Sequence, residues 1–176
     1  EGIWTRLAAQ DAGNNRGAVW RPEIGDEVIV GFLNDDPRDG VVLGSLHSSA
    51  NPAPLSADDQ NPEKGWVTRS NIRIVINDQD KSVVIETPGG KKFTIDDNAG
   101  KAQLEDQNGN KITLDSSGIT IDSASNLKLK ATQSISLEAP QLAVTAQSSL
   151  KLEAQGQTQL SSSGDLVIKG AFVRIN

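Results

Sequence analysis

From residue 127 to the end of the chain, apolar and polar positions alternate in short runs that recur every seven or eight residues. Each run reads apolar, polar, apolar, polar, small, and a polar stretch separates it from the next. Alternation with a period of two predicts β-strands that bury one face. The apolar positions of these runs are Leu127, Leu129, Ile135, Leu137, Leu142, Val144, Leu150, Leu152, Leu160, Leu166 and Ile168.

Two apolar side chains in each period are too few for one chain to enclose a core, because repeat units bury apolar surface only by stacking on neighbours. The pattern favours three chains wound around one axis, each forming one side of a triangular prism, with these apolar positions as the trimer core. The small residue of each run is expected at a prism corner, where backbones approach too closely for a larger side chain. These corner positions are Ala131, Ala139, Ala146, Ala154, Ser162 and Gly170.

The alternative interpretation of this segment is a flexible linker rich in Ser, Gln and Ala. A random polar tract would not keep the alternation in phase over the whole segment, so we favour the prism. We place a regular triple-stranded β-helix over 124–176. Between 70 and 123 the apolar runs are less evenly spaced and turn sequences such as Asn108-Gly109 interrupt them, which predicts an irregular β-rich neck with wider or partly antiparallel layers.

The N-terminal part of the chain has longer strands. Val28–Leu33 and Val41–Leu46 are rich in β-branched residues and flank a turn that contains Asp, Pro and Gly, which predicts a β-hairpin of a small barrel over residues 1–48. Residues 49–69 are dense in Pro, Asp and Asn and are predicted to be an extended linker. The fold class is therefore all-β.

Composition narrows the function. Aromatic residues make up 3% of the chain, which is poor material for a conventional core, and burial between three chains would offset that. Cys, Met and Tyr are absent, which excludes a disulfide framework and a thiol nucleophile, and the missing Met indicates a fragment of a longer protein. The net charge of −6, with Lys and Arg scattered, argues against nucleic-acid binding.

Four acidic residues beside predicted turns, Asp96, Asp97, Glu105 and Asp106, are candidates for a carboxylate pair that cleaves glycans. No aromatic sugar platform accompanies them, and we favour a structural role.

Three other groups of residues are weaker candidates for chemistry. Asp35, Asp36 and Asp39 lack the spacing of a calcium loop, Gly89-Gly90-Lys91 lacks the length of a phosphate loop, and His47 has no partner placed by a motif and is read as a strand-end residue. We therefore predict no catalytic residue, no cofactor and no metal.

Residues 21–37, with Pro22, Ile24-Gly25-Asp26-Glu27-Val28 and Asp36-Pro37 in that order, are followed by Leu43-Gly44-Ser45. This order strongly resembles the oligonucleotide/oligosaccharide-binding (OB) domain of the VgrG and phage baseplate central spike family. The resemblance covers the whole chain as a partial OB-fold barrel, a connector and a homotrimeric β-prism needle. It implies a barrel truncated at its N-terminus, with the first strands before Glu1.

The resemblance implies a homotrimeric spike of a contractile injection machine, such as a phage tail, a type VI secretion system or an extracellular injection particle. Such a spike is assembled in the bacterial cytoplasm, is delivered outside the cell and punctures a target membrane. It implies attachment to a tail tube through hub domains before Glu1, and a PAAR-type tip protein on a platform formed by Val173, Arg174, Ile175 and Asn176. Some phage spikes bind iron at the tip through paired histidines, which the single His47 does not supply.

A second interpretation remains open, in which the chain is a trimeric β-helical tail fibre or spike that binds or depolymerises surface glycans. Activity on polysaccharide and sensitivity to substitution of Asp96 or Glu105 would distinguish it. The three tryptophans, Trp4, Trp20 and Trp66, all lie at or before the start of the predicted needle, which counts against an aromatic glycan-binding surface along it.

Overall fold

The computed structural model describes residues 2–174, and their regular secondary structure is β apart from one short 3-10 turn. The chain divides into two compact units, with the boundary between Lys128 and Leu129 in the sequence. The first unit holds every regular strand described below, and the second is an extended chain interrupted by bends. The expectation of an all-β fold is confirmed.

The N-terminal segment, here called the barrel segment, contains a three-stranded sheet and a separate small hairpin. Its central strand pairs antiparallel with the strand before it in sequence and parallel with the first strand of the chain, in the order β1-β5-β4. The hairpin predicted from the β-branched runs is confirmed by the β4–β5 pair. The strands are β1 (Arg6–Leu7), β2 (Ala12–Gly13), β3 (Arg16–Gly17), β4 (Glu27–Phe32) and β5 (Gly40–Leu46).

The turn between β4 and β5 owes its shape to short polar side chains. Asn34 and Asp35 have φ values of 52° and 57°, a left-handed conformation that Asn and Asp tolerate better than most residues. The Asp36 carboxylate accepts hydrogen bonds from the backbone N–H of Arg38 at 3.0 Å and from its guanidinium at 2.7 Å. These bonds lower the pKa of Asp36, so this acidic residue has a structural role in the turn.

Seven further strands form one antiparallel meander, in which each strand pairs with the next strand in sequence. Every strand is five residues long, and turn chemistry rather than long connections joins them. No second layer covers this sheet within the described part of the chain. The strands are β6 (Glu63–Val67), β7 (Arg73–Asn77), β8 (Ser82–Glu86), β9 (Lys92–Asp96), β10 (Lys101–Glu105), β11 (Lys111–Asp115) and β12 (Gly118–Asp122).

The loops of the meander differ between the two ends of the strands. At one end, the long-loop end, the connections are 68–72, 87–91 and 106–110. At the other, the short-loop end, they are 78–81, 97–100 and 116–117. Because long and short loops alternate, apolar runs that are evenly placed in the sheet are unevenly spaced in the sequence.

Two of the expected segments differ from the structure. The segment over 49–69 is not linker throughout, because its last part is β6, which pairs with β7 from Glu63↔Asn77 to Val67↔Arg73. Lys64 and Gly65 have low β propensity, so the sequence does not indicate a strand here, but hydrogen bonding to β7 stabilises it. The segment over 70–123 is a regular antiparallel sheet and not an irregular neck. The alternation of long and short loops makes its strands unevenly spaced in the sequence.

The second unit, 129–174, contains no regular strand in its described residues. It is an extended chain with bends at 132–133, 140, 147–148, 155–156, 163–164 and 171–172. The bends recur at the seven- to eight-residue spacing of the apolar pattern. Each bend begins directly after one of the small residues predicted to occupy prism corners.

Candidate functional site

One face of the meander is apolar across all seven strands. Side chains alternate between the faces along a strand, and directly paired residues share a face, so the register aligns the second and fourth residues of each strand into two columns. We call this surface the apolar face. One column contains Trp66, Ile74, Ile85, Phe93, Leu104, Ile112 and Ile121, and the other follows Lys64 with Ile76, Val83, Ile95, Ala102, Leu114 and Ile119.

The apolar face is open to solvent in the single chain. The exposed fraction reaches 71% at Ile119 and is still 36% at Phe93, in the central part of the sheet. Among residues 2–174 no apolar side chain is buried. Monomeric proteins rarely leave a contiguous apolar surface of this extent in contact with water, and such a surface is typical of an interaction site.

The opposite face carries a ladder of charges that alternate in sign from strand to strand. Beside the long-loop end, the register places Lys92 and Lys111 each between two acidic residues of the neighbouring strands, and places Arg73 beside Glu86. Opposite charges at paired positions stabilise an antiparallel sheet by about 0.2–1 kcal/mol each, and Lys111 Nζ lies 3.5 Å from Asp122 Oδ2. This charge ladder consists of Arg73, Glu86, Lys92, Glu105, Lys111 and Asp122.

The contrast between the two faces indicates their environments. Burial of so many charged side chains would cost free energy, because each charge would lose its hydration and would need a partner. Burial of the apolar columns instead stabilises the protein by about 25 cal/mol for each Å² removed from water. The charge ladder is therefore suited to solvent, and the apolar face is suited to burial against another protein surface.

The predicted trimer-core positions of the C-terminal segment are exposed in the single chain. Their exposed fractions range from 55% at Ile135 to 69% at Leu152, and the chain does not bring them together into a core of its own. Their role, like that of the corner residues, stays a prediction. Of the predicted tip platform, Val173 is 53% exposed, Arg174 is also exposed, and Ile175 and Asn176 lie outside the described residues.

The candidate glycan-cleaving carboxylates fall at opposite ends of the strands. Asp96 and Asp97 lie at the short-loop end, whereas Glu105 and Asp106 lie at the long-loop end. Asp96 pairs with Lys101, so Glu105 is four residues further along the same neighbouring strand, or about 13 Å at 3.3 Å per residue. Glycosidase carboxyl pairs lie about 5–9.5 Å apart, so these residues do not form such a pair across the strand.

Three of these carboxylates instead accept hydrogen bonds from groups of the sheet and its loops. Asp96 Oδ1 accepts the backbone N–H of Ala99 at 2.8 Å, and Glu105 Oε2 accepts the side-chain amide of Gln103 at 2.7 Å. Asp106 accepts the backbone N–H groups of Asn108 and Asn110 and both of their side-chain amides, at 2.8–3.1 Å. These hydrogen bonds support the structural interpretation of Asp96, Glu105 and Asp106. Within 2–174, no group of three or more His, Asp or Glu side chains is arranged to hold a metal ion.

Asp106 gives a pH-dependent prediction. The hydrogen bond from the Asn110 side chain is the largest of several that lower its pKa to about 2, against about 3.9 for an unperturbed Asp. A lowered carboxyl pKa stabilises the fold above the unfolded-state value, and that contribution is lost as the pH falls from about 4 towards 2.

The other two long loops begin with Thr68 and Thr87, so Asp106→Thr gives the third loop the same first residue. We expect this substitution to lower the melting temperature at pH 7. The difference from the unsubstituted chain should shrink between about pH 4 and pH 2. Thermal unfolding followed by circular dichroism over this range measures it. A difference that is constant down to pH 2 would show that the ionised carboxylate does not stabilise the loop.

The barrel segment contacts the meander at β6. The rings of Trp20 and Trp66 are stacked, with centroids 6.2 Å apart and planes inclined by 12°, and Arg69 lies 2.9 Å from the Glu23 carboxylate. A Cβ built on Gly65 would overlap the carbonyl oxygen of Ile74, which explains glycine at this position. A cleft of about 760 Å³ lies beside this junction, and His47, which directly follows β5 as predicted, lines it.

Sequence reasoning missed the apolar face and the charge ladder. It placed the trimer core only from residue 127 onward, although the alternation Ile72-x-Ile74-x-Ile76 and its successors were visible. A search for a fixed register would have found both features, because charges of alternating sign stand at successive strand ends next to the loops.

Comparison with known proteins gives two family matches. Residues 1–47 match the type VI secretion system/phage-baseplate injector OB domain, and residues 82–176 match the phage baseplate V C-terminal trimerisation domain. The second match covers β8–β12 and the whole C-terminal unit, so most of the apolar face lies within it. A match to a trimerisation domain supports a homotrimer.

Several spike proteins are similar to the chain. The type VI secretion system spike protein VgrG3 of Vibrio cholerae is 29% identical over 101 residues, which are 57% of this chain and 9% of the relative. VgrG4b of Pseudomonas aeruginosa is 41% identical over 104 residues, 57% of this chain and 11% of the relative. The actin cross-linking toxin VgrG1 of Vibrio cholerae is 26% identical over 98% of this chain and 13% of its own length. The chain thus spans about a tenth of the relatives it matches.

Proposed function

Because the chain belongs to the VgrG and phage-baseplate spike family, we propose that it forms a rigid homotrimeric needle that punctures a target membrane when a contractile injection machine fires. Spike relatives in type VI secretion support a role in a secretion or injection apparatus. The observation that carries the needle proposal is the uncovered apolar face within the region that matches the trimerisation domain.

In the proposed trimer, three meanders turn their apolar faces inward and their charge ladders outward. Each chain then gains the core that it lacks alone, at about 1.5–3 kcal/mol for each large apolar side chain that becomes fully buried. Folding and assembly are coupled for this reason. The C-terminal segment completes the needle as an intertwined β-helix, in which Leu137 and Leu152 are among the residues that point to the axis.

A needle must transmit an axial force without bending. Each inner strand of the meander, from β7 to β11, is hydrogen-bonded to a neighbour on both sides, and closure of the prism by three chains leaves no lateral sheet edge in the C-terminal part of the proposed needle. Among the described residues no helix is long and apolar enough to cross a membrane. In this proposal the needle passes through the membrane under force from the sheath.

The proposal includes two further partners that the family resemblance implies. A PAAR-type tip protein would rest on residues 173–176, beside Phe172, whose side chain is 95% exposed. In the whole protein, hub domains on the N-terminal side of the barrel segment would attach the needle to the tail tube. The separation of the carboxylates across the strand argues against the alternative of a glycan-cleaving fibre.

A chimeric spike tests this function in a living machine. The region of the Vibrio cholerae actin cross-linking toxin VgrG1 that matches 98% of this chain is replaced by residues 1–176, and secretion and killing of prey cells are measured. We expect the chimera to restore both, the same chimera with Phe93→Asp on the apolar face to lose both, and the chimera with Thr94→Asp on the solvent face to retain them. Killing by the Phe93→Asp chimera at the level of the unsubstituted one would contradict the proposal.

A further inference from the structure

The long loops of the meander, which begin at residues 68, 87 and 106 and are therefore evenly spaced in the sequence, repeat one hydrogen-bond pattern. The backbone N–H of the first residue donates to the carbonyl of the fifth, in the pairs Thr68–Ile72, Thr87–Lys91 and Asp106–Asn110, at 2.9–3.0 Å. The N–H of the fifth residue donates back to the side chain of the first in all three loops. The fourth residue is left-handed each time, with φ of 61°, 78° and 87°.

The short-loop end repeats at the same interval. Asn77, Asp96 and Asp115 end their strands, and each accepts through Oδ1 a backbone N–H from the loop that follows. Loops and strands together therefore define a structural repeat of two strands, one long loop and one short loop. The first copy spans 63–81, the second spans 82–100, and the third spans 101–117 with its last loop shortened by two residues.

The charge ladder has the same period as this repeat. Arg73, Lys92 and Lys111 follow one another at the interval of one repeat, and Glu86 and Glu105 stand between them with the same spacing. Removal of the second copy would bring Glu105 opposite Arg73, in the place of Glu86. The sheet would then keep its apolar columns and every opposite-charge neighbour.

The first copy departs from the others where it meets the barrel segment. Gly65 and Trp66 stand where the second copy has Val84 and Ile85 and the third has Gln103 and Leu104. These two residues form the close backbone approach to Ile74 and the stack with Trp20. The Trp66 stack joins the first copy to the barrel segment, and the Gly65 approach lies within that copy; no aromatic stack of this kind involves the second copy among the described residues.

We propose that residues 63–117 are a modular spacer, in which the number of 19-residue repeats sets the length of this part of the protein. Each repeat adds two strands, or about 10 Å at 4.7–4.9 Å per strand. The loops, the apolar columns and the charge ladder all have the period of one repeat. A whole repeat can therefore be removed or added without a change in the register of the remaining strands.

Two deletions that differ by one residue test the proposal. The whole-repeat deletion, of residues 84–102, joins Val83 to Gln103, so that Leu104 stays on the apolar face and Glu105 faces Arg73. The short deletion, of residues 84–101, keeps Ala102, which moves Gln103 onto the apolar face and Leu104 onto the solvent face, because a shift of one residue reverses the two faces of a strand. The cut lies in the same strand in both.

We expect the whole-repeat deletion to retain the β-sheet circular dichroism and cooperative unfolding of the full chain, and the short deletion to lose cooperative unfolding. A third variant, with residues 82–100 duplicated in tandem, should fold and be longer by about 10 Å in electron cryo-microscopy. Loss of cooperative unfolding in both the whole-repeat deletion and the duplication would overturn the proposal, as would equal behaviour of the two deletions. The readout is folding of the sheet, so it is separate from the membrane-puncturing function.

Discussion

Substitution of Phe93 by Asp should strongly weaken trimer formation by the chain, whereas Thr94→Asp should leave the trimer as stable as that of the unsubstituted chain. The two residues are neighbours in the central strand β9 and point to opposite faces of the sheet. Phe93 stands in the apolar column between Ile85 and Leu104. Thr94 stands on the face of the charge ladder, half-buried between Val84 and Gln103. In the proposed trimer this face is turned to solvent, so an additional carboxylate there stays hydrated.

The effect is large because the proposed trimer buries three copies of the substituted residue, one from each chain. Each copy of Phe93 loses a transfer free energy of about 1.5–3 kcal/mol, and burial of an unpaired carboxylate costs several kcal/mol more. Over three copies the equilibrium constant for trimer formation should fall by at least roughly a thousandfold. Analytical ultracentrifugation of the two variants measures this, and trimers of equal stability would show that the apolar face is not the interface.

The second large effect is expected in the C-terminal unit. The double substitution Leu137→Asp with Leu152→Asp places charges at two predicted core positions, whereas Ser136→Asp with Thr145→Asp places the same charges at outward positions of the alternation. An unpaired charge in the interior destabilises by about 3–5 kcal/mol. Proteolysis within 129–174 should therefore become roughly a hundredfold faster or more in the first variant and change little in the second.

Limited proteolysis with mass spectrometry locates the cleavage sites and separates the two units. The first unit should remain trimeric in both variants, because its apolar face is unchanged. Equal protection of the C-terminal unit in the two variants would mean that Leu137 and Leu152 do not lie in a core, and the intertwined β-helix would have to be abandoned for that segment.

The parts of the fold that depend on local pattern could be predicted from the sequence. The β-branched runs and the Asp-rich turn gave the β4–β5 hairpin to within one residue at its ends, and the small residues of the C-terminal runs coincide with the onset of its bends. Both features are set by neighbours along the chain, namely side-chain alternation and turn conformation. The family resemblance rested on residues of the same hairpin and is confirmed.

The parts that depend on pairing were harder to predict. The sequence predicts a linker at β6 because Lys64 and Gly65 have little β propensity. The register with β7 nevertheless puts Trp66 on the apolar face and within stacking distance of Trp20. The sequence predicts an irregular neck in place of the regular meander, since alternate loop lengths mask the period of the repeat. The proposed trimer core cannot form within a single chain, because its contacts would be made by residues of three copies.

The homotrimer is tested by the absolute mass of the purified chain in solution, measured by multi-angle light scattering. The chain has a mass of 18.7 kDa, and we expect a stable species of three times that mass with the circular dichroism of a folded β-protein. A folded species with the mass of one chain would contradict it, because the apolar face and the C-terminal runs would then be stable without partners.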